Sequence, residues 1–293
     1  MVNSIISSRQ AKPLRLALVL GSGGVRSVAA LGIADVLATE GLRPDLLVGC
    51  SSGAIFAATV AMGLSSKESL ALATRLWSAD LTQRKRWRAY AQLIAPKLFG
   101  FDASFSIRDA RLIAGRIQDA FGAHLIEELP TALRVVTTDT ATGNSVVLRR
   151  GNVSNALRAS VALPFFFPSV EIEGRRLFDG VLSNPLPISV ASDAHAVLAL
   201  GFQGAMPRRI NRPARLLAQV STAMINNLQQ THVSAALAAG QRLLNIELDL
   251  NERIGLWETA AMPRIFDAGR RAALRCLPAV HALLRGYESK EAA

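Results

Sequence analysis

Lysine is scarce in this chain. Of 33 basic residues only Lys12, Lys67, Lys85, Lys97 and Lys290 are lysine, so 28 are arginine, against 22 acidic residues and a net charge of +11. Cysteine is scarcer still, with Cys50 and Cys276 alone. Two cysteines in 293 residues exclude a disulfide scaffold. Both lie among apolar neighbours, as reduced core thiols of a cytoplasmic protein would. No uncharged apolar run reaches the roughly 20 residues that a membrane span needs. Ser51–Leu64 is among the longest and reads as buried helix. The polar start Met1–Lys12 leads into the apolar run Leu14–Leu20 without a small-residue cleavage site, so a strand is expected there and not a signal peptide. The Cys, His and acidic residues show no metal-ligand spacing, so neither a metal nor a cofactor is expected.

Half of the residues are hydrophobic and 19% are charged, which excludes a disordered chain. The length allows one large domain or two ordinary ones, and a single domain over 1–293 is the simpler expectation. Leu14–Leu20 has the apolar character of a buried parallel strand. The chain then predicts a helix over Val25–Glu40, a strand over Asp45–Cys50 and helices over Ser52–Met62 and Ser66–Ala79. This strand–helix–strand–helix order calls for an α/β fold, a mostly parallel sheet covered on both faces. Leu81–Ser106 is irregular. A helix is predicted over Ile107–Phe121, then strands at Leu133–Asp139 and Ser145–Arg149, a short helix at Val153–Ser160 and a hairpin of Val170–Glu173 with Arg176–Phe178. Downstream come a strand at Ala196–Gly201, a long helix at Pro213–Leu237, a strand at Leu244–Leu248 and a helix at Trp257–Arg285 interrupted near Pro263 and Pro278.

Three turns carry the chemistry. Gly49-Cys50-Ser51-Ser52-Gly53 matches G-x-S-x-G between an apolar strand and an apolar helix. A serine on so sharp a turn needs small neighbours, and its hydroxyl projects over a helix N-terminus. The alternative is an ordinary tight turn. Gly21-Ser22-Gly23-Gly24-Val25-Arg26 also joins a strand to a helix. Arg26 stands where a dinucleotide fingerprint needs its third glycine, and the G-K-[ST] of a P-loop is absent. An oxyanion hole built from the Gly23 and Gly24 N–H groups remains, beside a plain helix-entry turn. The third turn is Asp179-Gly180, followed by Asn184-Pro185-Leu186-Pro187. An aspartate beside glycine is usually a turn residue. None of His124, His195, His232 and His281 has a motif of its own, so a serine–aspartate dyad would explain why no histidine base is marked.

Taken in order, these motifs resemble the patatin-like phospholipase family. Gly21–Arg26 is similar to the family's glycine-rich oxyanion loop, and Gly49–Gly53 to its nucleophile elbow. Arg158-Ala159-Ser160 with Pro164 and Phe167-Pro168 is similar to its R-A-S-x-x-x-P-x-x-F-P stretch, and Asp179-Gly180 to its D-G-[GA] motif. The match covers roughly 14–201, leaving a C-terminal helical part of about 202–293. The resemblance implies a three-layer patatin-like fold and hydrolysis of lipid acyl esters. It makes Ser51 the nucleophile, Asp179 its base, and Gly23 and Gly24 the oxyanion donors. Gly21 and Arg26 would support the oxyanion loop, Gly49 and Gly53 the elbow, and Gly180 the turn of the dyad. Three positions depart from the pattern. Ser22 replaces a glycine, which suits a negative φ. Ser27 and Val181 stand where the family has smaller residues.

The same residues would serve a thioesterase or an acyltransferase, and a lipid-binding regulatory protein with a vestigial site is the non-enzymatic alternative. The charge has three candidate partners: anionic membrane, acidic substrate and nucleic acid. Arg84–Arg88 is interleaved with Trp87 and Tyr90, and Arg208, Arg209, Arg212 and Arg215 precede an apolar helix. Arginine beside tryptophan and leucine favours peripheral contact with an anionic membrane surface, at the inner face of a cytoplasmic membrane. Nucleic acid is not expected, since no binding module is present.

Overall fold

The computed structural model describes residues 14–77, 87–102, 105–207, 209–250, 254–255 and 258–291. The expected features at Met1–Lys12, Arg84–Arg86, Arg208 and Trp257 lie outside the described residues.

Strand β1 (Leu14–Leu20) is buried along most of its length because both its faces meet apolar neighbours. It pairs in parallel with β2 (Leu46–Cys50) on one side and β7 (Ala194–Leu200) on the other. Next to β2 lies β3 (Ala132–Asp139), again parallel, and β8 (Leu243–Asn245) extends the sheet beyond β7. A hairpin of β5 (Val170–Ile172) and β6 (Arg175–Asp179) joins β3 antiparallel, giving the order β5-β6-β3-β2-β1-β7-β8, with β4 (Ser145–Leu148) also paired to β3. Asp45 is not part of β2. Its carboxylate accepts the N–H groups of Arg15 and Leu16 and fixes the start of β1.

Alternation along each strand sends side chains to two cores. Leu16, Leu18, Leu20, Leu198 and Leu200 face a large cluster with α1 (Ala29–Thr39), α2 (Ser52–Ala61), α3 (Ser66–Leu76), α6 (Arg111–Phe121), α7 (Val153–Ser160) and α9 (Met262–Glu291). Ala17, Val19, Val48, Val136 and Val197 face a smaller one, closed by Ile188, Ala191 and Ala236 of α8 (Pro213–Ala238). This is the expected α/β arrangement, with helices on both faces of a mostly parallel sheet.

Several boundaries differ from expectation. The chain after the glycine loop first forms a 3-10 turn over Gly24–Val28 and only then α1. Ile107 and Arg108 are not helical; their N–H groups bond to the carbonyls of Phe165 and Phe166, and α6 starts at Arg111. Short helices α4 (Trp87–Ile94) and α5 (Pro96–Phe99) fall in the stretch expected to be irregular. Neither proline interrupts α9. Pro263 lies in its first turn, where no intrahelical N–H bond is lost, and Pro278 lies inside a helix that buried Val280 and Leu284 hold in place.

Candidate active site

The parallel strands β1, β2 and β7 end on one edge of the sheet, and the three turns meet there. Ser51 follows β2 and precedes α2 with φ 56° and ψ −130°, a left-handed conformation that a non-glycine residue adopts only under constraint. The constraint is close packing. A Cβ on Gly49 would stand 2.3 Å from Ala54 Cα, and one on Gly53 would stand 2.4 Å from the Leu20 carbonyl oxygen. A further tie comes from α7, where Ser160 Oγ accepts the Ser51 N–H at 2.9 Å and donates to the Val136 carbonyl at 2.7 Å.

The hydroxyl so presented donates to Asp179 Oδ2 at 2.7 Å. Asp179 ends β6 and is 2% exposed. Its Oδ1 accepts the N–H of Val181 at 2.9 Å, and its own N–H bonds to the Ala162 carbonyl at 3.0 Å. Burial pushes the carboxyl up to about 7, against the opposing pull of the Val181 and Ser51 hydrogen bonds. Desolvation dominates because two donors do not replace a full water shell. Gly180 lets this turn lie on β3; a Cβ there would come within 2.6 Å of the Val136 carbonyl oxygen. Cys50, beneath Ser51, stays a thiol, since burial and then the Asp179 charge push it up. Among the described residues, the Ser51 hydroxyl donates to a carboxylate and not to a histidine.

The glycine loop reaches the same point. Gly21 N–H bonds to the Leu200 carbonyl and Ser22 N–H to that of Pro185, so the loop is tied to β7 and to the Asn184–Pro187 segment. Gly23 N–H donates to Ser52 Oγ at 3.1 Å, and Ser52 Oγ lies 2.9 Å from Ser27 Oγ. Gly24, at φ 61°, opens the 3-10 turn, where the first N–H groups lack an intrahelical acceptor. Arg26 supports the loop. Its Nε donates to the Gly23 carbonyl, one terminal nitrogen donates to the Gln203 carbonyl, and the guanidinium sits over the Phe202 ring at 5.2 Å. Burial lowers its pKa. The three departures fit this setting. Ser22 keeps φ out of the positive region, Ser27 pairs with Ser52, and Val181 is buried.

Ser51, Asp179, Gly21, Gly23, Gly24, Arg26, Gly49, Gly53 and Gly180 are therefore brought together. The sequence motifs single out neither Ser52 nor Ser160 as a site residue. Ser160 lies in the R-A-S stretch, but its target is 109 residues away in the chain, so spacing alone does not assign it. Among the described residues no group of three His, Cys, Asp or Glu is placed to hold a metal ion.

A family model for patatin-like phospholipase matches residues 18–192. Two uncharacterized NTE family proteins of Mycobacterium tuberculosis are similar to the chain. One is 33% identical over 186 residues, covering 64% of this chain and 48% of the relative. The other is 30% identical over 301 residues, covering 92% and 48%. The chain spans about half the length of these relatives. Patatin-like phospholipase domain-containing protein 7 of Rattus norvegicus is 28% identical over 192 residues, covering 64% of this chain and 13% of that protein. Among solved structures, VipD from Legionella pneumophila aligns with 94% of this chain and 67% of its own, at a TM-score of 0.46 and 14% identity. With the family model spanning well over half of the chain, this protein belongs to the patatin-like phospholipase family.

Proposed function

We propose that this chain is a serine acyl-ester hydrolase of lipids, of phospholipase A, lysophospholipase or carboxylesterase type, working through a Ser51–Asp179 dyad. The observation that carries the proposal is the 2.7 Å hydrogen bond from Ser51 Oγ to a buried carboxylate, made by a serine held at positive φ. A structural serine has no need of either feature, and strain of this kind collects at reacting groups.

Ser51 Oγ attacks the ester carbonyl carbon while its proton passes to Asp179 Oδ2. An ordinary carboxylate is a weak base; a value of about 7 suits it to accept a proton at neutral pH and return it to the departing alcohol. Water then attacks the acyl-serine, giving its proton to the same carboxylate, and Ser51 is restored as the fatty acid leaves. The carbonyl oxygen gains charge in both steps. In this proposal the Gly24 N–H meets it first. The developing alkoxide is a stronger acceptor than Ser52 Oγ, so it competes for the Gly23 N–H as well. Arg26 holds the loop in position and does not touch the reacting atoms. The substrate is met at an anionic membrane surface.

The test measures hydrolysis of a short-chain p-nitrophenyl ester and of mixed phospholipid vesicles by the wild type, Ser51→Ala and Asp179→Asn. Loss of both activities in both variants, with circular dichroism unchanged, is the expected outcome. Retained hydrolysis in Ser51→Ala would end the proposal, and retained hydrolysis in Asp179→Asn would remove the dyad.

A further inference from the structure

Helix α8 is longer than the sheet it covers. Its C-terminal half is anchored: Ala236 and Gln229 are buried, and Gln229 Nε2 bonds to the Phe202 carbonyl just past the end of β7. Higher up, Asn226 exchanges two hydrogen bonds with the backbone of Gly204, and Gly204 rests against Thr222. Above Thr222 the helix continues to Pro213, which at 1.5 Å per residue adds about 13 Å. Every residue from Asn211 to Ala218 is exposed. The first two turns of α8 therefore stand clear of the body as an overhang. They do so on the edge that holds Ser51, because the segment leading to them runs past the oxyanion loop at Phe202 and Gln203.

This overhang is apolar and basic. Ile210, Leu216, Leu217, Val220 and Met224 are all about half exposed or more, and Met224 reaches 66%. Arg209, Arg212 and Arg215 are exposed among them. No acidic residue lies in the first turn of α8, although that end of a helix favours negative charge. The whole sequence between Asp193 and Glu247 contains no aspartate or glutamate.

A second prong is linked to the site through the chain that leads to Asp179. Ile94 is 85% and Leu98 79% exposed on α4 and α5. The prong is tied to the site by Phe101 on Phe105 and Phe105 on Phe165, whose segment leads back to Ala162 and the Asp179 N–H. Phe165 is itself exposed and held at φ 68°. This prong also lies in acid-free sequence, between Asp80 and Asp102, and Phe165 lies in a third such stretch, between Asp139 and Glu171.

The geometry points to these two prongs as the docking surface that seats the enzyme on an anionic lipid bilayer, with the α8 overhang and the α4–α5 tip entering the headgroup layer. This deepens the hydrolase proposal and rests on it for the substrate. A bilayer fits better than a soluble polyanion because the basic residues are interleaved with large exposed aliphatics, which a polyanion leaves in water and a membrane interface buries. It fits better than solvent alone because the acid-free stretches coincide with the exposed apolar tips.

The test uses co-sedimentation with phosphatidylcholine vesicles, neutral or containing about a third phosphatidylglycerol. Wild type should prefer the anionic vesicles. Leu217→Glu with Ile94→Glu should weaken binding about tenfold or more, and Arg212→Gln with Arg215→Gln should lower the anionic preference about fivefold for each arginine. Vesicle hydrolysis should fall with binding, while kcat/KM on a water-soluble short-chain ester stays unchanged. Equal binding to neutral and anionic vesicles, or unchanged binding in the glutamate variant, overturns the assignment. So does a dimer that dissociates in that variant while vesicle binding persists, or tighter binding to a DNA oligomer than to anionic vesicles. Ser51→Ala should sediment like wild type. If the hydrolase proposal fails, this vesicle binding still decides the docking surface by itself.

Discussion

Replacing Asp179 by asparagine should remove ester hydrolysis and, above neutral pH, make the protein more stable. Asp179 is 2% exposed, and burial lifts its carboxyl from 3.8 to about 7. The unfolded chain loses this proton near pH 4, whereas the folded chain keeps it until about pH 7. The associated stability is fully present below the unfolded value and is lost as pH rises through the folded one. A displacement of about three units at 1.36 kcal/mol each corresponds to about 4 kcal/mol when both states are ionised, and to roughly 2 kcal/mol near pH 5.5. Asp179→Asn has no proton to lose and keeps an oxygen acceptor for the Val181 N–H. The variant's advantage over wild type should therefore grow by about 4 kcal/mol between about pH 4 and pH 8.5. Glu68, Glu127 and Asp193 are held below the usual carboxylate range by hydrogen bonds, so they act in the opposite direction. They act equally in both proteins and cancel in the difference. Urea unfolding followed by circular dichroism across this range measures it. A difference that stays flat with pH would refute the claim that desolvation governs Asp179.

Other outcomes follow from the same geometry. Ser160→Ala removes the acceptor of the Ser51 N–H and leaves that group unpaired, so it should cost about 1–3 kcal/mol of stability and lower kcat more than it raises KM. Ser160→Thr should recover part of the loss if the hydroxyl is what matters. Gly53→Ala places a Cβ 2.4 Å from a carbonyl oxygen of the central strand; soluble expression or the melting temperature should fall sharply, by more than about 3 kcal/mol of stability. Arg26→Lys keeps the charge but cannot bond to both Gly23 and Gln203 carbonyls. It should slow ester hydrolysis and, by a similar factor, Ser51 labelling by a small fluorophosphonate, whose phosphoryl oxygen takes the same oxyanion position; undiminished rates of both would mean that the loop does not depend on Arg26.

Ser51 and Asp179, the residues proposed to react, are legible in the sequence because each is announced by its own chain neighbours. Ser51 sits in a strand–turn–helix pattern whose small residues are needed locally, and Asp179 sits at a hairpin end beside glycine. The buried strands β1, β2 and β7 were equally plain, as apolar runs of strand length. What spacing could not show were contacts between distant segments. Ser160 reaches Ser51 across the fold, Ser52 takes the Gly23 N–H, and Asn226 straps α8 to Gly204. The overhang of α8 is of the same kind. Its periodicity announces a helix, but only the length of β7 beside it shows that two turns extend past the sheet. Ile107 and Arg108 have helical periodicity but stay outside the helix, because their backbone pairs with Phe165 and Phe166, nearly sixty positions away. Apolar periodicity at α9 was sound, yet Pro278 suggested a break that tertiary packing overrides.

The central claim, a serine activated directly by one buried carboxylate, is tested most directly by the pH dependence of fluorophosphonate labelling with peptide mapping of the adduct. A single adduct on Ser51 is predicted, with a rate that rises with pH through a midpoint near 7, where Asp179 ionises, and that loses this rise in Asp179→Asn. An adduct on another residue, or the same midpoint surviving in Asp179→Asn, would contradict the account.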